Sequence, residues 1–293
     1  MASTHDLRVE HIFSVQDYVC VVTGGGTGIG LMAAQALAAN GAKVYITGRR
    51  MEALHNAAQT HHPGQNGAII PVGPCDVTKK DDLDRIVQEI GSKEKHIDLL
   101  IANAGIAGPK AEPDEAHGQA LKDKLWSSEE FGQWSDVFNT NVSAVYFTTV
   151  AFLPLLQAGT SRSTGHSASV IVISSMSGIM AHSQGHFAYN AAKGATVHLS
   201  KLMSAEFEKS SIRVNSIAPG YFPSEMTTKE SDEKQKSHLP KEKVQEKGHV
   251  PAGRAGSDQE MAQAVIFLAR NMYVNGEIIA VDGGALLKVP GGR

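Results

Sequence analysis

Short apolar runs alternate with longer helical patterns along most of the 293-residue chain. The strands we predict are mostly continuous apolar runs, which indicates a sheet covered on both faces and therefore parallel pairing. Strand–helix alternation with right-handed crossovers then predicts a doubly wound α/β sheet. The seven predicted strands cover 18–23, 43–47, 68–72, 97–102, 169–174, 212–218 and 277–281, and the predicted helices cover 28–39, 50–60, 79–90, 134–157, 187–208 and 258–270.

The composition, with 19% charged residues and a net charge of −3, excludes several classes of protein. The chain has no excess of basic residues that would indicate binding to nucleic acid. The N-terminus lacks the apolar region of a signal peptide, and no uninterrupted apolar stretch is long enough to span a bilayer. Cys20 and Cys75 lie beside apolar stretches, so we expect buried free thiols and no disulfide or metal site. We therefore expect a cytoplasmic enzyme or binding protein, with one domain over 1–293 and its core at about 18–284.

Five glycines fall within the ten residues "VVTGGGTGIG" at 21–30. Two interpretations compete: a tight turn between a strand and a helix, or a loop whose backbone must approach a phosphate closely. The stretch follows a predicted strand and opens a helical pattern, which is the context that a Rossmann-type dinucleotide site requires. The spacing T-G-x-x-x-G-x-G, formed by Thr23, Gly24, Gly28 and Gly30, differs from the G-x-G-x-x-G of most dinucleotide folds.

That spacing resembles the short-chain dehydrogenase/reductase family, and further matches follow in the family's order. "ANAG" at 102–105 is similar to the family's N-N-A-G element, with Ala102 replacing the first Asn. "WSDVFNTNVSA", "VISSMSG", "YNAAK", "IAPGYFPSEMT" and "VDGG" resemble later family segments. Because the matches run from about residue 18 to 284, the chain is identified as a member of this family. The interpretation of the glycines as a plain turn is then no longer favoured.

The resemblance implies four catalytic residues: Asn141, Ser175, Tyr189 and Lys193. Tyr189 and Lys193 stand four apart, so on a helix they share one face. A free tyrosine titrates near pH 10, and a nearby ammonium favours the phenolate, so the pair can serve as general acid in reduction and general base in oxidation. In the family, the Lys also binds the nicotinamide ribose, the Ser positions the substrate oxygen and the Asn holds a water of the proton relay.

The serine assignment depends on register. Ser175 precedes Tyr189 by fourteen residues, whereas the family commonly has thirteen, and a one-residue insertion in "GIMAHSQGHFA" would explain the difference. The "ISS" register favours Ser175 over Ser174 or Ser177. The alternative is that these are merely polar residues that end a strand.

The second predicted strand ends "YITGRR", which bears on the choice of cofactor. Family members that bind NAD carry an acidic residue where this chain has Gly48, and the arginines that follow can pair with a 2′-phosphate. Surface arginines are common, but at a helix start they oppose the dipole, which favours a functional role and therefore NADP(H). The resemblance implies the cofactor-binding set Gly24, Thr27, Gly28, Ile29, Gly30, Arg49, Arg50, Asp76, Val77, Asn103, Ala104, Gly105, Tyr189, Lys193, Pro219, Gly220, Phe222 and Ser224.

We therefore expect an NADPH-dependent carbonyl reductase, most similar to the 3-oxoacyl-carrier-protein-reductase-like branch, acting on a small ketone or alcohol. The alternatives are an NADP-dependent sugar or polyol dehydrogenase and, in another class, a catalytically idle regulator, against which the intact residue set counts. The resemblance suggests a homotetramer or homodimer packed through 134–157 and 187–208.

Residues 221–253 lie after the sixth strand, where ligands bind in open α/β sheets, and are predicted to form a substrate lid. Tyr221, Phe222 and Met226 would form its apolar inner surface, and 229–247 its charged outer one. The alternative is a solvated surface segment with no role.

Overall fold

The computed structural model describes residues 4–64, 66–162, 165–289 and 291. Its seven strands are β1 (Val19–Thr23), β2 (Lys43–Thr47), β3 (Ala68–Val72), β4 (Leu99–Ala102), β5 (Ser169–Ile173), β6 (Arg213–Pro219) and β7 (Ile278–Val281). All pair in parallel in one sheet with the order β3-β2-β1-β4-β5-β6-β7. The doubly wound sheet predicted from the apolar runs is confirmed. The order reverses between β1 and β4, and such a reversal opens a crevice at the carboxyl ends of the strands.

Eleven α-helices connect or flank the strands in the described residues. They are α1 (Val9–Ile12), α2 (Gly28–Ala39), α3 (Met51–Thr60), α4 (Lys80–Gly91), α5 (Gly118–Ser128), α6 (Phe131–Phe138), α7 (Ala144–Thr160), α8 (Phe187–Glu206), α9 (Glu225–Thr228), α10 (Lys241–Gln245) and α11 (Asp258–Arg270). The six predicted helices are present, and the one predicted at 134–157 is α6 and α7 joined by a π-helical turn, Asn139–Ser143. The additional α5 buries none of its residues, so it carries no apolar stripe that a sequence pattern could reveal.

Two cores cover the two faces of the sheet. Successive strand residues point to opposite faces, so Val22 joins one core and Val21 the other. The first core packs against α2, α3 and α11, and the second against α4, α7 and α8. Cys20 and Cys75 are both buried and free, as predicted.

The helical run from Phe131 to Thr160 is long and apolar enough, by length and composition alone, to cross a bilayer. Polar residues interrupt it, so the run contains no uninterrupted apolar stretch of that length. Within the fold, α7 packs against α4, β4 and β5, and α6 packs against α8. This packing inside the domain accounts for the apolar composition.

Asp98 ties the amino ends of the strands together, on the side of the sheet opposite the cleft. Its fully buried carboxylate accepts a hydrogen bond from Val19 N at 2.8 Å. Arg162 Nε and His166 Nε2 each lie 2.9 Å from its other oxygen. The charge is therefore paired, as a buried charge must be.

Candidate active site

The carboxyl ends of the strands surround a cleft of about 780 Å³. Most of the predicted site residues line it: Gly24, Thr27, Gly28, Ile29, Arg49, Arg50, Asp76, Val77, Asn103, Ala104, Gly105, Ser175, Tyr189, Lys193, Pro219, Gly220, Phe222 and Ser224. Gly30 and Asn141 do not line the cleft and lie behind its wall. The sheet therefore brings together residues that are far apart in the sequence.

The glycine loop between β1 and α2 has two kinds of glycine. Gly24 and Gly28 have φ of +64° and +53°, in the left-handed region that favours glycine. Gly30 is needed for space, because a Cβ there would lie 2.3 Å from the carbonyl oxygen of Gly24. Thr27, at the N-cap of α2, makes no side-chain capping bond, so the loop presents the free N–H groups of a 12-residue helix to the cleft.

Thr23 fixes this loop to the end of β4. Its hydroxyl oxygen accepts hydrogen bonds from Asn103 N at 3.0 Å and Ala104 N at 3.1 Å. The amide of Asn103 returns bonds to the carbonyl oxygens of Thr23 and Gly24, at 2.9 and 3.1 Å. Thr23 is not among the predicted site residues, although its place in the glycine motif is the signal that could have found it.

Lys193 and Tyr189 project from α8 into the middle of the cleft. Lys193 Nζ lies 5.8 Å from the centre of the Tyr189 ring and donates a hydrogen bond of 2.9 Å to the carbonyl oxygen of Ile173. Lys193 is buried, with 3% of its surface exposed. The spacing of four residues thus places both groups on one helix face, as predicted.

The structure distinguishes the candidate serines. The Ser174 hydroxyl donates to the carbonyl oxygen of Ile217 at 3.0 Å and accepts from Ser216 Oγ at 2.7 Å, so it is used within the sheet. The Ser175 hydroxyl accepts from Ser177 N at 3.1 Å and lies close enough to the Tyr189 hydroxyl to influence its pKa. Of the two, Ser175 is the one directed at the tyrosine.

Burial controls the titration of both groups on α8. It raises the pKa of Tyr189 above its ordinary value, against the opposing effect of the neighbouring Ser175. It also lowers the pKa of Lys193 to about 8. The lowering of the tyrosine pKa that we expect from the ammonium is not seen in the protein by itself, where desolvation is the dominant effect. Tyr189 consequently keeps its proton at neutral pH.

Asn141 sits in the π-helical turn and is fully buried. Its amide donates to the carbonyl oxygen of Ile106 at 2.8 Å, and its side-chain oxygen accepts from Ile106 N at 2.9 Å. Thr196 Oγ1 donates to its backbone carbonyl oxygen at 2.7 Å. The side chain of Asn141 is thus bonded to the loop after β4. The part of Asn141 that faces α8 is its backbone.

Two arginines follow β2 at the other end of the cleft. Arg50 Nη2 lies 2.6 Å from Glu225 Oε2, and Arg49 lies close enough to Asp76 to lower the pKa of that carboxyl, after the larger effect of hydrogen bonds from Thr78. A Cβ at Gly48 would contact only Leu54, at 3.9 Å, so the position has room for a side chain. No group of three or more His, Cys, Asp or Glu in the described chain could hold a metal ion.

The segment after β6 differs from the expected lid. Phe222 is buried in the core against Gly256 and cannot form a mobile inner surface, because the surrounding helices hold its ring. Met226 is 44% exposed and lines the cleft. The Tyr221 hydroxyl accepts a hydrogen bond from Gln184 Nε2 at 2.7 Å and lies 3.2 Å from His249 Nε2. Gln184 and Glu225 are cleft residues that the sequence did not indicate.

This fold, with a glycine loop and a Tyr–Lys–Ser cluster in one cleft, is that of a nucleotide-dependent oxidoreductase. A profile of the family described as "short chain dehydrogenase" matches residues 18–235, and the chain belongs to that family.

Individual relatives agree with this assignment. The chain is 39% identical to the short-chain dehydrogenase/reductase PhomF of Diaporthe leptostromiformis, over 98% of this chain and 97% of the relative. It is 34% identical to the rhamnolipids biosynthesis 3-oxoacyl-[acyl-carrier-protein] reductase of Pseudomonas aeruginosa, over 93% and 97%. Among solved structures, the Pseudomonas aeruginosa RhlG/NADP active-site complex matches with a TM-score of 0.78 and 32% identity, over 94% of this chain and 98% of that one.

Proposed function

We propose that this oxidoreductase is an NADPH-dependent carbonyl reductase in which Tyr189 is the general acid. The observation that carries the proposal is the placement of Ser175 beside Tyr189 in a cleft that also holds the buried Lys193. A ketone oxygen bound there could accept the tyrosine proton and a hydrogen bond from the serine. The raised pKa of Tyr189 keeps it in the protonated form that reduction needs.

The residues at the glycine loop fit a dinucleotide. The free N–H groups at the start of α2 would hold the pyrophosphate, and Asp76, Val77 and Asn103 would line the adenosine side. When bound, NADPH supplies the hydride. Lys193, with a pKa of about 8, is largely protonated at neutral pH and would hold the ribose hydroxyls. Asn141 would fix the loop after β4 and offer its carbonyl oxygen to a proton relay.

The preference for NADP(H) rests on the end of β2. Arg49 and Arg50 line the cleft there, and Gly48 supplies no carboxylate to accept bonds from a ribose 2′-hydroxyl. A guanidinium can bind a phosphate through two parallel hydrogen bonds. The similar RhlG structure is an NADP complex, which supports the same choice for this chain.

Reduction of a ketone is favoured over oxidation of a sugar or polyol. Several relatives are named as 3-oxoacyl-carrier-protein reductases, and the protonated Tyr189 suits the reductive direction. An idle regulator would not need Tyr189, Ser175 and Lys193 together.

We also propose that residues 223–249 move as a substrate lid hinged after the buried Phe222, with Met226 on the inner side. The homo-oligomer would form through α7 and α8, where Tyr146 and Phe147 are 42% and 38% exposed and Leu202 is 50% exposed. The two buried free thiols agree with the cytoplasmic location expected from the sequence.

The test is a panel of ketones and alcohols assayed with both nicotinamides. It should include a 3-oxoacyl thioester, a simple diketone and a polyol series. We expect NADPH oxidation with a ketone to be the fastest reaction. Faster oxidation of a polyol would favour the sugar dehydrogenase, and NADPH binding without turnover of any compound would favour the regulator.

A further inference from the structure

An ion pair joins the two sides of the cleft at its adenosine end. Arg50, at the start of α3, pairs with Glu225, the first residue of α9, with 2.6 Å between Nη2 and Oε2. The other carboxylate oxygen of Glu225 accepts a hydrogen bond from Ser231 Oγ at 2.8 Å, and the Thr27 side chain lies beside the carboxylate. Glu225 is thus held in one place between the glycine loop and Arg50.

The segment that carries Glu225 is fixed to α3 at two further points. Asn56 Nδ2 donates to the carbonyl oxygen of Glu233 at 2.8 Å, and His61 Nε2 lies 2.7 Å from that of Lys234. Lys236 Nζ lies 2.6 Å from Asp258 Oδ2 on α11. The stretch 225–236 therefore leans on the cofactor side of the cleft.

The two arginines after β2 differ in how they are held. Arg50 is paired with Glu225, whereas Arg49 makes no hydrogen bond or ion pair with the described residues and lies near the charge of Asp76. A phosphate between them would attract both guanidinium groups, and its charge would compete with the carboxylate for Arg50.

We propose that Glu225 is a positioning residue for cofactor choice, which competes with the 2′-phosphate of NADP(H) for Arg50. NADP(H) then separates Arg50 from α9, and NAD(H), which lacks that phosphate, leaves the pair closed. The inference rests on the proposed function only in taking the end of β2 as the site of the adenosine ribose. Glu225 thereby links the adenosine end of the cofactor to the first turn of the proposed lid.

The size of the effect follows from the exposure of the pair. The Arg50 side chain is 62% exposed and that of Glu225 28%, so solvent screens much of their attraction. Removing the competition should therefore change NADPH affinity by about two- to fivefold.

The experiment measures the dissociation constants of NADPH and NADH, and of adenosine 2′,5′-bisphosphate and 5′-AMP, for a set of variants. In Glu225→Gln, we expect NADPH and the bisphosphate to bind about two- to fivefold more tightly, relative to NADH and 5′-AMP. Glu225→Asp keeps the charge and should stay near the wild-type ratio. Glu230→Gln, an equal change of charge at an exposed site in the same segment, should not alter the ratio.

A second readout is hydrogen exchange in α9 without substrate. Adenosine 2′,5′-bisphosphate should increase exchange at 225–228 in the wild type, and 5′-AMP should not. In Glu225→Gln, exchange should be high with either nucleotide. In an Arg50→Gln background, Glu225→Gln should no longer change the affinity ratio. If Glu225→Gln alone does not fold, the Arg50→Gln variant by itself tests the pair.

Equal tightening of all four nucleotides by Glu225→Gln would overturn the inference, since Glu225 would then act on the phosphates common to them. An unchanged ratio together with unchanged exchange would also overturn it. These binding measurements need no turnover, so they can fail while ketone reduction succeeds. Conversely, the absence of ketone reduction would count against the proposed function alone.

Discussion

Lys193 Nζ donates a 2.9 Å hydrogen bond to the carbonyl oxygen of Ile173, the last residue of β5. No carboxylate of the described chain contributes to the pKa of this buried ammonium, and burial alone lowers it to about 8. The protein therefore bears the cost of a buried charge at the point where the cofactor ribose would lie. Such a cost is expected of a functional group, because a purely structural position would favour an apolar side chain.

Lys193→Met should stabilise the fold while it abolishes reduction. The lowering of the Lys193 pKa from 10.5 to about 8 corresponds to a destabilisation of about 3 kcal/mol, which the substitution removes. Loss of the hydrogen bond to Ile173 offsets about 1 kcal/mol of that gain. Because the folded-state pKa is the lower one, the gain is fully present below pH 8 and disappears as the pH rises towards 10.5. Unfolding followed in denaturant at pH 7 and pH 10 measures both values. Destabilisation at pH 7 would contradict the prediction.

Tyr189→Phe should lower kcat by about two to four orders of magnitude, the usual contribution of a general acid. NADPH affinity should survive, because the ring remains and only the proton donor is lost. Steady-state rates and fluorescence titration of NADPH give the two quantities. Tyr273→Phe, a fully exposed tyrosine, is the matched control. A rate within a few-fold of wild type would remove Tyr189 from its assigned role.

Gly48→Asp combined with Arg49→Leu should shift preference from NADPH towards NADH by about tenfold or more. The new carboxylate can accept bonds from the ribose 2′-hydroxyl, and the space around Gly48 accommodates it. Ratios of kcat/KM for the two cofactors measure the change, with the distant, exposed Arg8→Leu as control. An unchanged ratio, or a wild-type enzyme that prefers NADH, would exclude a role for Arg49 at the 2′-phosphate.

Asp98→Asn should destabilise the protein by about 3–5 kcal/mol, because Arg162 and His166 lose the charge that they face. Specific activity at low temperature should stay near wild type, since Asp98 lies at the end of the sheet away from the cleft. Unfolding in denaturant measures the free energy of unfolding, and Asp123→Asn, at an exposed site, is the control. Loss of activity in a fully folded variant would reveal a link to the cleft that the contacts do not indicate.

The lid should become protected when substrate joins the cofactor-bound enzyme. We expect slower hydrogen exchange across 223–249 and no change around Phe222, which the core already holds. Shortening 237–247, which leaves the contacts on α3 intact, should raise KM for the ketone and leave NADPH affinity nearly unchanged. Equal exchange with and without substrate would show that the segment is not a lid.

The sequence predicted what depends on local spacing. The strands, the glycine turn and the common helix face of Tyr189 and Lys193 follow from patterns within a few residues. It could not predict the contact between Arg50 and Glu225, because those residues are 175 positions apart and meet only through the sheet. Nor could it predict the contact between Gln184 and Tyr221, which also meet only in the folded chain. The position of residues 221–253 after the sixth strand predicts Phe222 on the inner surface of a lid, but the sequence does not reveal that the distant Gly256 leaves room for its ring in the core.

The π-helical turn at Asn139–Ser143 gives the helix between Phe131 and Thr160 one residue more than a regular α-helix would need there. Because a π-helical turn is wider than an α-helical one, its five residues make roughly the rotation that four residues make in an α-helix. The surplus residue therefore leaves the face that α6 presents to α8 and the face that α7 presents to β4 in phase. Removing one residue within the turn would regularise the helix with little rotation of α6 against α7, and its main cost would be the withdrawal of Asn141 from Ile106. The extra residue thus serves the position of one buried side chain without disturbing the packing on either side of it.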